Sequence, residues 1–227
     1  MKYPYLLFDA DDTLFDFPRA SARAFSIMCR MNDIPDTPDT LQLYHQINLE
    51  LWAAFDRGEV SKDFVTLERF VRFFQALGLP RDPAKCNRDY LTALGEGVYP
   101  LPHAEEVCRE LVRRGHRLYI ITNAVASVQR RRLRGSVFAD LITEAFISED
   151  AGASKPAPAY YDYVRNRVPG LTAENSLVIG DSLATDIRGA NNAGLPCCWY
   201  NPGQKPRPAD LRIDYEIQDL RQLLDIV

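Results

Sequence analysis

Apolar and polar positions along the chain fall into two regimes. Tyr3 to Phe8 is a short apolar run with the character of a buried strand, and it stops at Asp9. From about Phe17 to Val98 every strong pattern has helical spacing. Pro18 to Met31 carries Ala, Arg and Met at helix-favouring positions, with Pro18 suited to a first turn. Thr37 to Asp56 sets Leu41, Tyr44, Ile47, Leu51 and Phe55 three or four apart, and Arg57-Gly58 ends it. Ser61 to Leu77 opens on a capping serine and places Phe64, Leu67, Val71 and Phe74 on one predicted face. Gly78-Leu79-Pro80 closes that helix, and Pro83 to Leu94 is a fourth.

After Tyr99-Pro100-Leu101-Pro102 helix and strand patterns alternate. Strands are expected at 117–121, 141–147, 177–179, 196–200 and 213–217, and helices at 105–114, 125–133, 158–168, 185–192 and 220–226. Such alternation predicts an α/β fold, a doubly wound parallel sheet to which the first strand also belongs. The domain reading follows: a core of residues 1–16 plus 99–227, and an all-helical insertion over 17–98. No internal repeat or low-complexity tract interrupts either.

Composition narrows the function classes. The chain has 227 residues, 46% hydrophobic and 26% charged, enough apolar material for a core without staples. Its net charge of −4 gives no reason to expect nucleic acid or an anionic membrane as partner. The one basic cluster, QRRRLR at 129–134, reads as a solvated helix face, with phosphate or nucleic-acid contact as the minority reading. Five cysteines without CxxC spacing argue against a disulfide framework or a zinc site, and His45, His103 and His116 form no ligand pair. With no signal peptide or membrane span in the pattern, the expected location is cytoplasmic and the expected state a monomer or weak homo-oligomer.

Chemistry is suggested where predicted strands end, because parallel sheets bind ligands at the carboxyl ends of their strands. Strand one ends in Asp9-Ala10-Asp11-Asp12-Thr13, with Asp16 close behind. Two like charges ~4 Å apart repel by about 4 kcal/mol at an effective dielectric near 20, so such a cluster needs a reason. Further strand ends deliver Thr122-Asn123, Lys155 before Pro156, and Gly180-Asp181-Ser182 with Asp186 five residues after Asp181. Singly, each reads as a cap, a turn residue, a first-turn acid or a surface lysine. Jointly, at successive strand ends, they suit phosphoryl transfer. Asp9 and Asp181 offer carboxylates to a hard divalent cation such as Mg²⁺. Asp9 and Asp11, two apart on extended chain, point the same way, one to attack phosphorus and the other to move the proton. Lys155, the Thr122 hydroxyl and amides near Asn123 would hold phosphoryl oxygens.

DADDT, ITN, the lysine of SKP and GDSLATD, in this order, resemble the four motifs of the haloacid-dehalogenase-like (HAD) superfamily, over the whole core. The resemblance implies a Rossmann-like HAD core with a helical cap, and a role for each matching residue. Asp9 would be the nucleophile that becomes an aspartyl phosphate. Asp11 would be the general acid/base, its backbone carbonyl on the metal. Thr122 and Asn123 would bind phosphate, Lys155 would steady nucleophile and phosphate, Asp181 would ligate Mg²⁺ directly, and Asp186 would order the metal's waters. Hinges would fall near Phe15 to Pro18 and Val98 to Pro102. Asp11 favours a phosphatase over a dehalogenase, since a departing halide needs no proton.

A narrower likeness covers FDADDTLFDF, INLELWAAFDRGEVS, PLPHAEEV, ISEDAGASKPAPAYYDY and VIGDSLATDIRGANNAGLPCCWYN, which together resemble bacterial nucleoside 5′-monophosphatases of pyrimidine preference. It implies a nucleotide as the small-molecule phosphate ester and Mg²⁺ or Mn²⁺ as the cofactor. One departure is Ala124, where the family often has Gly after Thr-Asn; its amide is expected to remain available. Candidate substrate contacts are Phe17, Asn48, Trp52 and Arg57, although Trp52 and Phe55 read first as interior of the helical segment. Sugar-phosphate or phosphoglycolate phosphatase is the alternative substrate class, and a non-enzymatic scaffold the alternative of another kind.

Overall fold

The computed structural model describes residues 2–227. Six strands form one sheet: β1 (Tyr5–Phe8), β2 (Arg117–Thr122), β3 (Ile142–Ile147), β4 (Ser176–Gly180), β5 (Cys197–Tyr200) and β6 (Tyr215–Ile217). Their order is β3-β2-β1-β4-β5-β6, and every neighbouring pair is parallel. β1 lies between β2 and β4, with Phe8 level with Ile120 and Ile179. A strand flanked on both sides and covered on both faces must be apolar throughout, which is what Leu6, Leu7 and Phe8 supply.

Alternation of side chains divides the core between the two faces. Leu6, Phe8, Leu118, Ile120, Leu177 and Ile179 pack with Val107, Cys108 and Leu111 of the helix Ala104–Arg113. Leu7, Ile121, Val178 and Trp199 pack on the opposite face with Tyr160, Tyr161 and Val164 of the helix Pro158–Arg167. The five cysteines are all buried and unpaired, so they serve as core.

Packing divides the chain into two units, one running up to Phe17 and resuming over Val98–Val227, the other Pro18–Gly97. The helices in chain order are α1 (Phe17–Met31), α2 (Pro38–Asp56), α3 (Lys62–Leu77), α4 (Pro83–Leu94), α5 (Ala104–Arg113), α6 (Ala126–Arg134), α7 (Ser148–Ala151), α8 (Pro158–Arg167) and α9 (Arg188–Asn192). Within the helical unit Thr37 makes a capping box with Thr40, and Ser61 and Asp82 cap α3 and α4. Its interior is aromatic: the Tyr44 ring lies 5.0 Å from Phe25, 5.5 Å from Phe70 and 5.3 Å from Tyr90.

The buried face of α3 corrects the sequence expectation. Val65, Arg69, Phe70 and Phe73 point inward, whereas Phe64 and Leu67 are exposed. Two apolar stripes run along this helix, and the one carrying Phe70 and Phe73 meets the aromatic cluster around Tyr44 and Phe25. Arg69 sits among these rings, its guanidinium carbon 4.6 Å from the Tyr90 centroid, and donates to the side-chain oxygens of Asn48 and Asn87 at 3.0 Å each.

Two further elements differ from expectation. The helix expected from Thr185 begins as a π-helical turn, Leu183–Ile187, before α9. The last element, Leu220–Asp225, is a 3₁₀ helix opened by an Asp219–Gln222 capping box. The stretches that leave and re-enter the sheet unit pair with each other: Asp16 N donates to Tyr99 O at 2.8 Å, Leu101 N to Leu14 O at 2.9 Å, and Phe15 forms an antiparallel bridge with Pro100.

Candidate active site

The sheet brings the predicted strand-end residues together. Asp9 follows β1 directly and is tied to the neighbouring strand by its amide, 2.8 Å from Ile179 O. The Lys155 ammonium, 3% exposed as a residue, donates to Asp9 Oδ1 and Asp186 Oδ1 at 2.6 Å each and to the Ile121 carbonyl at 2.9 Å. Its three protons are thereby placed, and it bridges the ends of β1, β2 and the π-helical turn. Burial alone would lower its pKa; the charges of Asp186 and Asp9 outweigh that and hold it raised, so Lys155 is a fixed cation.

Asn123 and Lys155 clasp each other. Asn123 Nδ2 donates to the Lys155 carbonyl and Lys155 N donates to Asn123 Oδ1, both at 2.9 Å. The side chain of Asn123 is thus committed to placing Lys155, and a contact to phosphate would fall to its backbone. The Ala124 amide, expected to be available, donates to Thr122 Oγ1 at 3.1 Å. The short threonine hydroxyl reaches back over its own turn, a local bond such residues favour at strand ends.

The π-helical turn explains the place of Asp186. Ile187 N donates to Ser182 O at 3.1 Å, five residues back, which widens the turn. Asp186 then folds over β4, accepting the Ser182 amide at 3.1 Å on Oδ2. Gly180 permits this: a Cβ there would lie 2.3 Å from the Asp186 carboxyl carbon. Asp181 is steadied from two sides, its Oδ1 accepting from Thr13 Oγ1 at 3.3 Å and its carbonyl from the Trp199 indole N–H at 3.0 Å.

One carboxylate oxygen from each of Asp9, Asp181 and Asp186 lies within 4.8 Å of the others. Burial, joined by the charge of Asp186, pushes Asp181 up to about 7, and burial raises Asp9 despite Lys155. An all-oxygen set in which burial raises Asp9 and Asp181 fits a hard divalent cation. Asp12, up to about 6 through burial and the charge of Asp11, adds to the negative field. Its φ of 61° lies in the left-handed region, and its Oδ1 accepts the Phe17 amide at 3.3 Å, so it shapes the turn and the start of α1. Asp12 and Asp181 also line a cavity of about 210 Å³ with Tyr200, Asn201 and Lys205.

Asp11 has partners that the sequence reading missed. Arg132, read as part of a solvated face, is fully buried, and its guanidinium meets Asp11 Oδ1. Gln129, equally buried, donates to Asp11 Oδ2 at 3.1 Å. Arg130, Arg131 and Arg134 do lie on the exposed side, Arg130 pairing with Asp150 at 2.5 Å. The signal was present: Val128, Gln129, Arg132 and Leu133 form one buried stripe of α6, so the two polar residues occupy apolar positions.

Of the candidate substrate contacts, Asn48, Trp52 and Arg57 belong to the helical unit and Phe17 opens α1. Asn48 is buried in the helical unit, its Oδ1 accepting from Arg69 at 3.0 Å. Arg57 is exposed and engages Glu59 through two bonds of 2.6 and 2.8 Å. Trp52 is half-buried, edge-on to Phe55 at 5.4 Å, and Phe17 is half-buried at the start of α1. No helix among the described residues is long and apolar enough to cross a membrane.

Comparison with known proteins agrees with this geometry. A family model described as haloacid dehalogenase-like hydrolase matches residues 6–200. The HAD-hydrolase YfnB of Bacillus subtilis is 38% identical over 226 residues, covering 100% of this chain and 96% of YfnB. A crystal structure of YfnB, described as bound to magnesium and as revealing interdomain movement, superposes with a TM-score of 0.93, covering 100% of this chain and 99% of that one. The pyrimidine 5′-nucleotidase PynA of Streptococcus pneumoniae is 32% identical, covering 99% of this chain and 95% of PynA. The pyrimidine 5′-nucleotidase YjjG of Escherichia coli is 29% identical, with coverages of 98% and 97%. With the model spanning most of its length, and its acids and lysine gathered at the sheet's carboxyl edge, the chain belongs to the haloacid dehalogenase-like hydrolase family.

Proposed function

We propose that the chain is a divalent-cation-dependent phosphomonoesterase that works through a phosphorylated Asp9, with nucleoside 5′-monophosphates, pyrimidine nucleotides first, as substrates. The observation that carries the reading is the Lys155 ammonium held 2.6 Å from both Asp9 and Asp186 beside Asp181. Three carboxylates gathered around a buried ammonium at the sheet edge support Asp9 as the nucleophile, Lys155 as the fixed cation and the acids as donors to a metal.

A carboxylate oxygen of Asp9 attacks phosphorus as the bond to the ester oxygen breaks, and the Asp11 carboxyl gives that oxygen its proton. Asp11, now a carboxylate, takes a proton from water; the water oxygen bonds to phosphorus and the Asp9–phosphorus bond breaks. The net change is ester plus water to alcohol plus phosphate. Lys155 and the Thr122 hydroxyl offset charge on the phosphoryl oxygens in both steps. A Mg²⁺ or Mn²⁺ ion held by Asp9, Asp181 and the Asp11 carbonyl, with Asp186 behind them, would neutralise charge at the same oxygens. Magnesium is supported by the YfnB structure described as bound to it, and the nucleotide class by the names of PynA and YjjG. Cleavage of a carbon–halogen bond would leave Asp11 without a task.

Mg²⁺-dependent hydrolysis of p-nitrophenyl phosphate tests the reaction, and Asp9→Asn is expected to abolish it. Wild-type turnover in that variant would rule out Asp9 as nucleophile. Phosphate release across nucleotides and sugar phosphates tests the substrate class: UMP and TMP should lead, and a higher rank for sugar phosphates would reject the nucleotide reading.

A further inference from the structure

We propose that Arg132 and Gln129 of α6 are positioning residues that orient the Asp11 carboxylate for proton transfer, an assignment that rests on the phosphatase reading. The two residues stand three apart on one helix face, so their side chains project together. Both are fully buried. Each takes a different oxygen of the carboxylate: Arg132 meets Oδ1 and Gln129 Nε2 donates to Oδ2 at 3.1 Å. A carboxylate gripped at both oxygens cannot rotate about its terminal bond without breaking a charge-assisted hydrogen bond.

The clasp is itself braced. Arg132 also donates to Gln129 Oε1 at 3.3 Å, which fixes the amide so that its NH₂ faces Asp11. The guanidinium lies over the Phe15 ring, its carbon 4.5 Å from the centroid, and that ring packs edge-on against Phe138 at 5.1 Å. Gln129 Nε2 also stands 3.5 Å from Thr122 Oγ1, so one amide touches both the proton carrier and the proposed phosphate-binding hydroxyl. The grip leaves Asp11 able to act. A carboxylate has about four acceptor sites, and these donors take two. The Asp11 side chain remains 23% exposed, an open edge for a leaving oxygen or a water. A buried arginine whose only purpose was stability would be an uneconomical choice, since an apolar residue of similar volume would fill the same space.

The test compares the first turnover of two esters with Mg²⁺ present: p-nitrophenyl phosphate, whose leaving group departs without help, and a nucleoside 5′-monophosphate, whose alkoxide needs the proton. Arg132→Met and Gln129→Leu should slow leaving-group release from the nucleotide by about 100-fold, the usual weight of one general acid, and from the p-nitrophenyl ester by less than about 10-fold. KM should change little, and Arg132→Lys should restore part of the nucleotide rate. Gln129→Leu leaves the ion pair in place and serves if Arg132→Met fails to fold. Equal losses on both esters, or a change confined to KM, would overturn the positioning role while sparing the phosphatase reading. A wild type inactive on both esters would overturn that reading, and the positioning role with it.

Discussion

At the scale of residues, the site is a contest between burial and charge settled by geometry. Gly180 is the sharpest case, because Asp186 occupies the space a side chain would need. Gly180→Ala should displace the Asp186 carboxylate from Lys155, lowering phosphatase activity at least about 100-fold and stability by about 2 kcal/mol or more, read by kinetics and denaturant melts. Asp12 makes a milder claim. Its left-handed backbone is tolerated by Gly, Asn or Asp but strains a β-branched residue. Asp12→Gly should fold normally, while Asp12→Val should lose about 1–2 kcal/mol in the same melts. Asp9, Asp11 and Asp181 stand out in the sequence because each lies within three residues of a strand end, where the fold rule gives position a meaning, and Lys155 because it closes the loop that follows β3. Gln129 and Arg132 could not be separated from their neighbours by residue type. Arginines in a run are usually solvated, and only the helix phase tells which one turns inward.

Among elements, the π-helical turn and α3 mark where pattern reading lost its grip. The motif GDSLATD was visible, but a helix and a widened turn share the same sequence, and only the pull of Asp186 toward Ser182 N and Lys155 distinguishes them. In α3 two apolar stripes competed, and neither could be preferred without knowing which rings α1, α2 and α4 would present. That competition was decided around Arg69, whose hydrogen-bond partners are neutral: Asn48, Asn87 and the Thr66 carbonyl. Arg69→Met should leave the buried Asn48 oxygen short of a donor, and the half-buried Asn87 oxygen with it, and weaken the helical unit by about 1–3 kcal/mol, visible as a lower denaturant midpoint in the unit's helical signal. The order of strands and helices in the sheet unit was legible throughout, since periods of two and 3.6 residues separate cleanly when segments alternate.

For the whole molecule, the acids at the strand ends couple metal, pH and stability. Asp181 at about 7 and Asp12 at about 6 hold protons in the folded chain that the unfolded chain releases near its usual value of 3.8. Without metal, the stability these two carboxyls contribute should therefore be fully present below that value and be lost as pH rises through about 6 and 7. A bound cation favours the ionised carboxylates, so Mg²⁺ should raise Tm more at pH 7.5 than at pH 5. Melts in chelator and in Mg²⁺ across that range check it, and a Tm indifferent to both would contradict the metal site. The pairing of Asp16 with Tyr99 and of Leu14 with Leu101 has a consequence of another kind. The chain departs from the sheet unit and returns through one short ribbon, so the core experiences the 80-odd residues between as a hairpin connection whose closure is already made. The insertion can then be lengthened, shortened or exchanged without disturbing strand order. A molecule built this way can exchange its insertion while the acids and the lysine at its strand ends stay where they are.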